Sequence, residues 1–443
     1  MLEKIFSWGK KKDTQEPSIR FGRYSDNNKP LEKTNKWGEA DKLFKEKNYV
    51  QSIESFFDYL RDEAEDNVQL KREGNDFSFE ICQGSKIIRG RGNGEELVAE
   101  INLARMPQTS VPVMRRLLEQ NFVLYYSRYA LDGDRLCMRF YTDIQTANPN
   151  KLYYALKELA IKADKQDDLL VQDFSSLEAL DTDHIIPIAT EEQEIKYQFL
   201  QKWIKETLEY IQTLDQEKFS GGISYLLLTL VYRIDYLITP ESSLQSIVEK
   251  VHYTYFAKDE KPATEKNGMM TDALKSIQAM PKEELFKFLF KSKSTFAIVA
   301  PQTQKIIGES ISAANGNMAW YRDNNYHFIG KQICEYGISY AQYCYSLPSS
   351  LSQLFQLFMM VNYPDYFAAL GFSETYAAII PDNTTVFKPH VNEIVERINT
   401  ILSPWKTKYP KLEINAAQLK FDSIIHFNQS FTAAMETLNY DSI

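Results

Sequence analysis

The sequence predicts an α+β fold in two unequal parts, an antiparallel sheet with helices followed by a larger, mostly helical C-terminal domain. Three observations carry this. Apolar residues recur with a period of about 3.6 before Val68, with a period of about 2 from there to residue 177, and with a period of about 3.6 again beyond residue 190. Turn-forming clusters punctuate the middle stretch. The 443 residues suffice for two or three domains at roughly 150 residues each. With 44% hydrophobic and 25% charged residues, the composition is that of an ordinary globular chain.

Taken in order, residues 1–36 read as a polar basic tail, with nine Lys or Arg against five Asp or Glu. Ile5, Phe6 and Trp8 beside Lys10, Lys11 and Lys12 suggest a short membrane-surface or partner-docking foot. Three apolar residues in a row of eight are a weak amphipathic signal, and a solvated tail is expected instead. Residues 37–65 read as a helical hairpin. Trp37, Ala40 and Phe44 fall at i, i+3 and i+7, and Ile53, Phe56, Phe57 and Leu60 repeat that stripe beyond Lys47-Asn48. The spacing of Trp37, Leu43, Tyr49 and Ser52 resembles one tetratricopeptide unit. No second copy follows, so the concave groove of such arrays is not expected.

Residues 66–180 form the sheet-bearing module. Phe77, Phe79 and Ile81 alternate with polar neighbours, as do Leu97, Ala99, Ile101 and Leu103, which predicts half-buried strands. Gly74-Asn75-Asp76, Gln83-Gly84-Ser85 and Asn93-Gly94 tolerate positive φ and make residues 68–104 a meander. A helix follows with Ser110 as N-cap, Pro112 in its first turn, and Met114, Leu117 and Leu118 as its apolar side. Residues 122–130 and 135–141 flank Asp132-Gly133 as a hairpin. Asn148-Pro149 opens a closing helix with Leu152, Leu156, Leu159 and Ala163 in one stripe.

This order of elements, the text Val111-Pro112-Val113-Met114-Arg115-Arg116-Leu117-Leu118-Glu119, the run Leu131-Asp132-Gly133-Asp134-Arg135-Leu136 before a strand, and Asn148-Pro149 opening the last helix resemble the YbjN family. That family shares its fold with the type III secretion chaperones. The resemblance covers about 110 of 443 residues. It implies an α+β module that recognises proteins, often as a dimer, and performs no chemistry. True secretion chaperones are short, single-domain and strongly acidic, whereas about 260 residues follow this module. That departure argues against delivery of secreted effectors.

Residues 190–443 read as the helical domain. Ile195, Phe199, Ile204, Leu208 and Ile211 set one amphipathic helix, residues 221–238 a buried one, and Val391, Ile394, Val395, Ile398 and Ile401 a third. Residues 258–268 are polar, contain Pro262 and are expected as a loop. Residues 295–300 are a short apolar run that fits a strand or a buried helix. The run 221–238 is long enough to raise the membrane question, but it contains Arg233 and Asp235. A charge at the bilayer centre costs roughly 3 kcal/mol, so a buried helix is expected. Two residues apart on a helix, these charges point in different directions, and each needs a partner elsewhere. From residue 315 to 370 aromatics dominate, Trp320, Tyr326, Tyr336, Tyr340 and Tyr343 among them, and they are expected as core.

Motifs for chemistry are sparse. His184, His252, His327, His390 and His426 lie far apart, and His327, Cys334 and Cys344 lack a fourth ligand. Gly90-Arg91-Gly92-Asn93-Gly94 looks like a phosphate loop, but a strand follows it where a helix is needed, so a hairpin turn is expected. There is no Gly-x-Ser-x-Gly elbow, and Cys82, Cys137, Cys334 and Cys344 show no paired spacing. The N-terminus has no apolar run of the kind a secretory signal needs. A net charge of -9 argues against a nucleic-acid or anionic-membrane binder.

The expectation is therefore a non-catalytic, cytoplasmic protein-binding module, an adaptor or chaperone-like factor with no metal or cofactor and no transmembrane segment. It would engage another protein or a second copy of itself through the sheet face. Tyr125, Tyr129, Arg135, Arg139 and Tyr141 alternate away from Leu124, Tyr126, Leu136, Met138 and Phe140, and Tyr and Arg are enriched at interface hot spots. That set forms the candidate surface, unless it packs against the C-terminal domain. The rivals are an enzyme or small-ligand sensor with a pocket in residues 315–370, and a structural subunit of a larger assembly.

Overall fold

The computed structural model describes residues 16–27, 29–180, 185–373, 375–378 and 387–441, with the backbone alone over 164–173. The expected foot at Ile5, Phe6 and Trp8 lies outside the described residues, as does His184. Helices α1 (Leu31–Lys45) and α2 (Tyr49–Leu60) form the hairpin, and Lys47 turns the corner at φ 65°. Helix α1 starts ahead of Trp37 because its first turn is polar and leaves no apolar periodicity. Small Ser52 lets the two helices approach, and its hydroxyl donates to the Ala40 carbonyl at 2.7 Å.

Strands β1 (Val68–Glu73), β2 (Asp76–Gln83), β3 (Lys86–Gly92) and β4 (Glu96–Arg105) are the meander, with Gly74 and Gly84 at positive φ in the first two turns. Then come α3 (Val111–Gln120), β5 (Arg128–Asp132), β6 (Arg135–Asp143) and α4 (Pro149–Asp173). The short β7 (Glu178–Ala179) returns to pair with β4. The sheet runs β1-β2-β3-β4-β6-β5, and all neighbours are antiparallel. Phe79, Ile81, Ile88, Leu97, Ile101, Met138 and Phe140 share one face and are buried with Leu152, Leu156 and Leu159 of α4 and Phe56 and Phe57 of α2. The Gly90-Arg91-Gly92 text has a packing cause. The Phe79 ring lies over β3 so closely that a Cβ at Gly90 would sit 2.0 Å from its Cζ, and Gly92 bears the same relation to Phe77 at 2.3 Å. These glycines accommodate rings on the sheet.

The helical domain comprises α5 (Thr190–Gln212), α6 (Ser220–Arg233), α7 (Ser242–Phe256), α8 (Ala263–Gln278), α9 (Lys282–Phe286), α10 (Gln304–Asp323), α11 (His327–Cys344), α12 (Ser349–Asn362), α13 (Pro364–Ala369), α14 (Val391–Leu402) and α15 (Ile424–Glu436). A two-stranded ladder of β8 (Ile186–Pro187) and β9 (Phe290–Lys291) ties its start to the end of α9. Ser220–Ile238 is long and apolar enough to cross a membrane, but 89% of it is buried among this chain's own elements.

Two local expectations are corrected. Residues 263–268 are the first turns of α8. Lys266 and Asn267 turn inward and are satisfied there, Asn267 donating to the Ser220 carbonyl at 2.8 Å and Lys266 to the Ala257 carbonyl at 2.7 Å. Residues 295–300 are neither strand nor helix. They link the two modules: the Gln83 side-chain carbonyl, itself buried, accepts the backbone N–H groups of Thr295 and Phe296 at 3.1 and 2.9 Å, and Phe296 completes the core beneath the sheet.

Residues 16–27, read from sequence as part of a solvated tail, lie along the helical domain. The Phe21 ring packs on Phe367, and the buried guanidinium of Arg23 meets Asp235 at 2.9 Å. Burial of an arginine and an aromatic requires partners that are remote in sequence, so local composition could not signal it.

Candidate protein-binding surface

The open face of the sheet carries Arg135, Cys137, Arg139 and Tyr141 of β6, set against Asn102, Glu100 and Val98 of β4 by the register. Among the described residues no helix covers it: Arg139 and Tyr141 are exposed, and Arg135 is half-buried. The alternative that this face packs against the C-terminal domain is thereby overturned. The two arginines are nevertheless not free. Arg139 Nε donates to Glu100 at 2.7 Å, and Arg135 Nη2 donates to Asp132 at 2.7 Å. Cross-strand pairs of this kind are worth about 0.2–1 kcal/mol each and neutralise the face. Beneath them Cys137 is fully buried, and burial with the Glu100 carboxylate pushes its thiol up to about 11.

The other two predicted residues fall elsewhere. Tyr129 pairs with Met138, which puts it on the helix-covered side of the sheet. It is half-buried there, and burial reinforced by Glu158 pushes its phenol up to about 12. The expected alternation fails because β5 starts only at Arg128. Residues 121–123 form a 3-10 turn and 124–127 an irregular segment, so the period of 2 does not run through them. Tyr126, expected to face the helices, is exposed for the same reason.

Tyr125 belongs to a different feature. It is 86% exposed and Phe122 is 91% exposed, and Val111, Leu118, Val123 and Leu131 on the flanking elements are exposed as well. Leu118, expected in the core, is displaced by Val113 and Leu117, the residues of α3 that face the sheet. The signal for this rim was present in the sequence. Leu118 and Phe122 at i and i+4 form a second apolar stripe, offset from the Val113–Leu117 stripe.

Glu158 on α4 holds the segment in place. Its carboxylate accepts the backbone N–H groups of Tyr125, Tyr126 and Ser127 at 2.8, 3.0 and 2.8 Å, and the Ser127 hydroxyl at 2.8 Å. Burial alone would raise the pKa of Glu158; these donors more than offset it and hold the group below the usual carboxylate range. The exposed aromatics therefore stand on a fixed backbone. Preorganised aromatic side chains lose little entropy when a partner covers them.

The aromatics of residues 315–370 are mainly core: Tyr343, Tyr363 and Tyr366 are buried, and Trp320 is half-exposed. Of two surface concavities of about 550 and 360 Å³, the first runs along Asn392, Glu396 and Asn399 of α14 and the second lies between Gln304, Pro348, Tyr409 and Tyr440; the aromatics of 315–370 line neither. His327 is exposed while Cys334 is fully buried, so the two do not form a ligand pair. Burial pushes the Cys334 thiol up to about 12.

His252 lies in the helical domain on α7. Its Nδ1 lies 2.8 Å from the Tyr232 hydroxyl and its ring 4.9 Å from that of Tyr343. Burial, then the nearby Arg23 guanidinium, lowers its pKa from 6.5 to about 4. A folded pKa below the unfolded one means that neutral His252 stabilises fully above pH 6.5 and progressively less as pH falls toward 4. After solvent screening, the loss is on the order of 1–2 kcal/mol. In urea titrations at pH 7.0 and 4.5, His252→Leu is expected to show a smaller drop in midpoint than the wild type. An equal drop in both would remove His252 as a cause.

Compared with models of protein families, with curated proteins and with solved structures, the chain matches none.

Proposed function

We propose that this chain is a non-catalytic, cytoplasmic protein-binding factor, an adaptor or chaperone-like protein whose sheet-bearing module engages a partner polypeptide. The contact surface comprises the open sheet face at Tyr141, Arg139 and Arg135 and the apolar rim at Phe122 and Tyr125. The observation that carries this reading is the rim. Phe122 and Tyr125 are 91% and 86% exposed, while most aromatics of the helical domain are buried or half-buried. An apolar cluster left in water on a rigid backbone is characteristic of an interaction surface. The Arg and Glu pairs of the open face supply polar groups of the kind found at interface borders. The resemblance to the YbjN family points the same way.

The test compares the tagged wild-type chain with Phe122→Ser/Tyr125→Ser in affinity purification from the native host. Both substitutions sit on the surface and are expected to leave the thermal midpoint unchanged. A partner recovered with the wild type is expected to fall at least tenfold with the variant. Equal recovery from both chains, or recovery of free monomer alone with the wild type under gentle conditions, would overturn the reading.

A further inference from the structure

Residues 19–27 run without secondary structure of their own between the two modules, and alternate side chains are read by each. On the helical side, the Phe21 ring packs on Phe367 and Phe372 with centroids at 5.2 and 6.0 Å. Arg23 forks onto Asp235, with Nε at 3.1 Å from both oxygens, and lies 4.0 Å over the Tyr343 ring. The Ser25 hydroxyl donates to the Leu347 carbonyl at 2.7 Å, and the Asn27 amide to the Ser346 carbonyl at 2.9 Å. On the other side, Arg20 meets Glu65 at 2.6 Å, and Asp26 accepts the Tyr153 hydroxyl at 2.6 Å.

The backbone is read too. Helix α6 ends in a π-turn over Ile234–Ile238, which carries Asp235 and leaves the Tyr236 carbonyl to accept the Gly22 N–H at 2.8 Å. Gly22 has φ +70°, and a Cβ there would fall 2.5 Å from the Tyr236 ring, so only glycine fits. Such π-turns occur often at functional sites. With the segment in place Asp235 is 6% exposed and Arg23 supplies its guanidinium at 2.9 Å, a charged anchor at the centre of the cleft. Main-chain hydrogen bonding with pockets for alternate side chains is how clefts recognise extended peptides.

We propose that this cleft is a peptide-recognition site of which residues 19–27 are the resident ligand, and that it accepts an extended peptide with the same Phe-Gly-Arg core from a second polypeptide when its own segment is displaced. The contact is independent of the sheet-face reading, since no residue of the rim or of the open face takes part. The probe is a fluorescein-labelled peptide of residues 16–29. The receptor is the full chain with Phe21→Ala and Arg23→Ala, which weakens its own segment and leaves every acceptor residue intact.

Saturable one-site binding by anisotropy is expected. Peptides carrying Gly22→Ala or Arg23→Ala should bind at least tenfold more weakly, and the wild-type chain should bind the probe at least tenfold more weakly because its own segment competes. Absence of binding to a variant whose circular dichroism and thermal transition are those of a folded chain would overturn the proposal. Should the double variant fail to fold, a full chain with a protease site at residues 28–30 replaces it, cut after folding. Its cut segment is expected to remain bound and to exchange with the labelled peptide. A segment that never exchanges is a fixed part of the core, and that result also overturns the proposal.

Discussion

Glu335→Ala is expected to cost about 3–5 kcal/mol, the largest effect of any single substitution considered for this chain. Glu335 is fully buried between α6 and α11, where it accepts Arg233 Nε at 2.9 Å and Nη2 at 3.1 Å and also the Tyr363 hydroxyl. Arg233 donates in addition to Gln332 and lies 4.6 Å over the Tyr363 ring. Burial works against its charge, but Glu335, Tyr363 and Glu206 together more than offset this and leave the pKa raised. Removing Glu335 strands a guanidinium inside the helical domain. The midpoint of that domain's calorimetric transition should fall by roughly 6–20 °C. Replacing both partners with apolar residues, Arg233→Met with Glu335→Leu, is expected to recover most of the loss, because the desolvation cost disappears with the pair. A double variant as unstable as Glu335→Ala would show that the charges themselves hold the bundle.

Glu158→Ala is expected to cost about 2–4 kcal/mol, since hydrogen bonds to a charged acceptor contribute about 1.5–3 kcal/mol each and several are lost from a partly exposed site. The same variant should also weaken partner recovery through Phe122 and Tyr125, because the N–H groups of Tyr125, Tyr126 and Ser127 lose their common acceptor. Glu158→Gln separates the contributions. An amide oxygen at the Oε1 position still accepts Tyr126, Ser127 and the Ser127 hydroxyl, whereas the amide nitrogen faces the Tyr125 N–H. An intermediate urea midpoint is expected. Glutamine as damaging as alanine would place the effect in the charge, and no loss with alanine would show that the segment holds its shape unaided.

The strands of the meander were legible because a half-buried sheet imposes period 2 and its turns demand residues such as Gly74 and Gly84 at positive φ. Legibility stopped where the pattern was short or mixed. The 122–130 stretch contains enough apolar residues to imitate one strand, but a 3-10 turn breaks it, and Tyr129 ends on the opposite face from Tyr141. The five residues expected on one face therefore divide between different places. Arg135, Arg139 and Tyr141 do share an open face, and Tyr125 is exposed for a reason that no periodicity contains, a glutamate 33 positions away.

The sequence by itself determined the α+β class, the order of the sheet module, the burial of residues 221–238 and the need of Arg233 and Asp235 for separate partners. All of these follow from local periodicity, turn chemistry and the cost of an unpaired charge. Only the tertiary structure decided that Arg233 pairs with Glu335 and Asp235 with Arg23, that Phe296 belongs to the sheet module's core, and that the segment before α1 is a half-buried strap. The two ion pairs join residues 102 and 212 positions apart. The desolvation cost that makes them necessary is set by the environment each group enters, and no stretch of sequence carries that information.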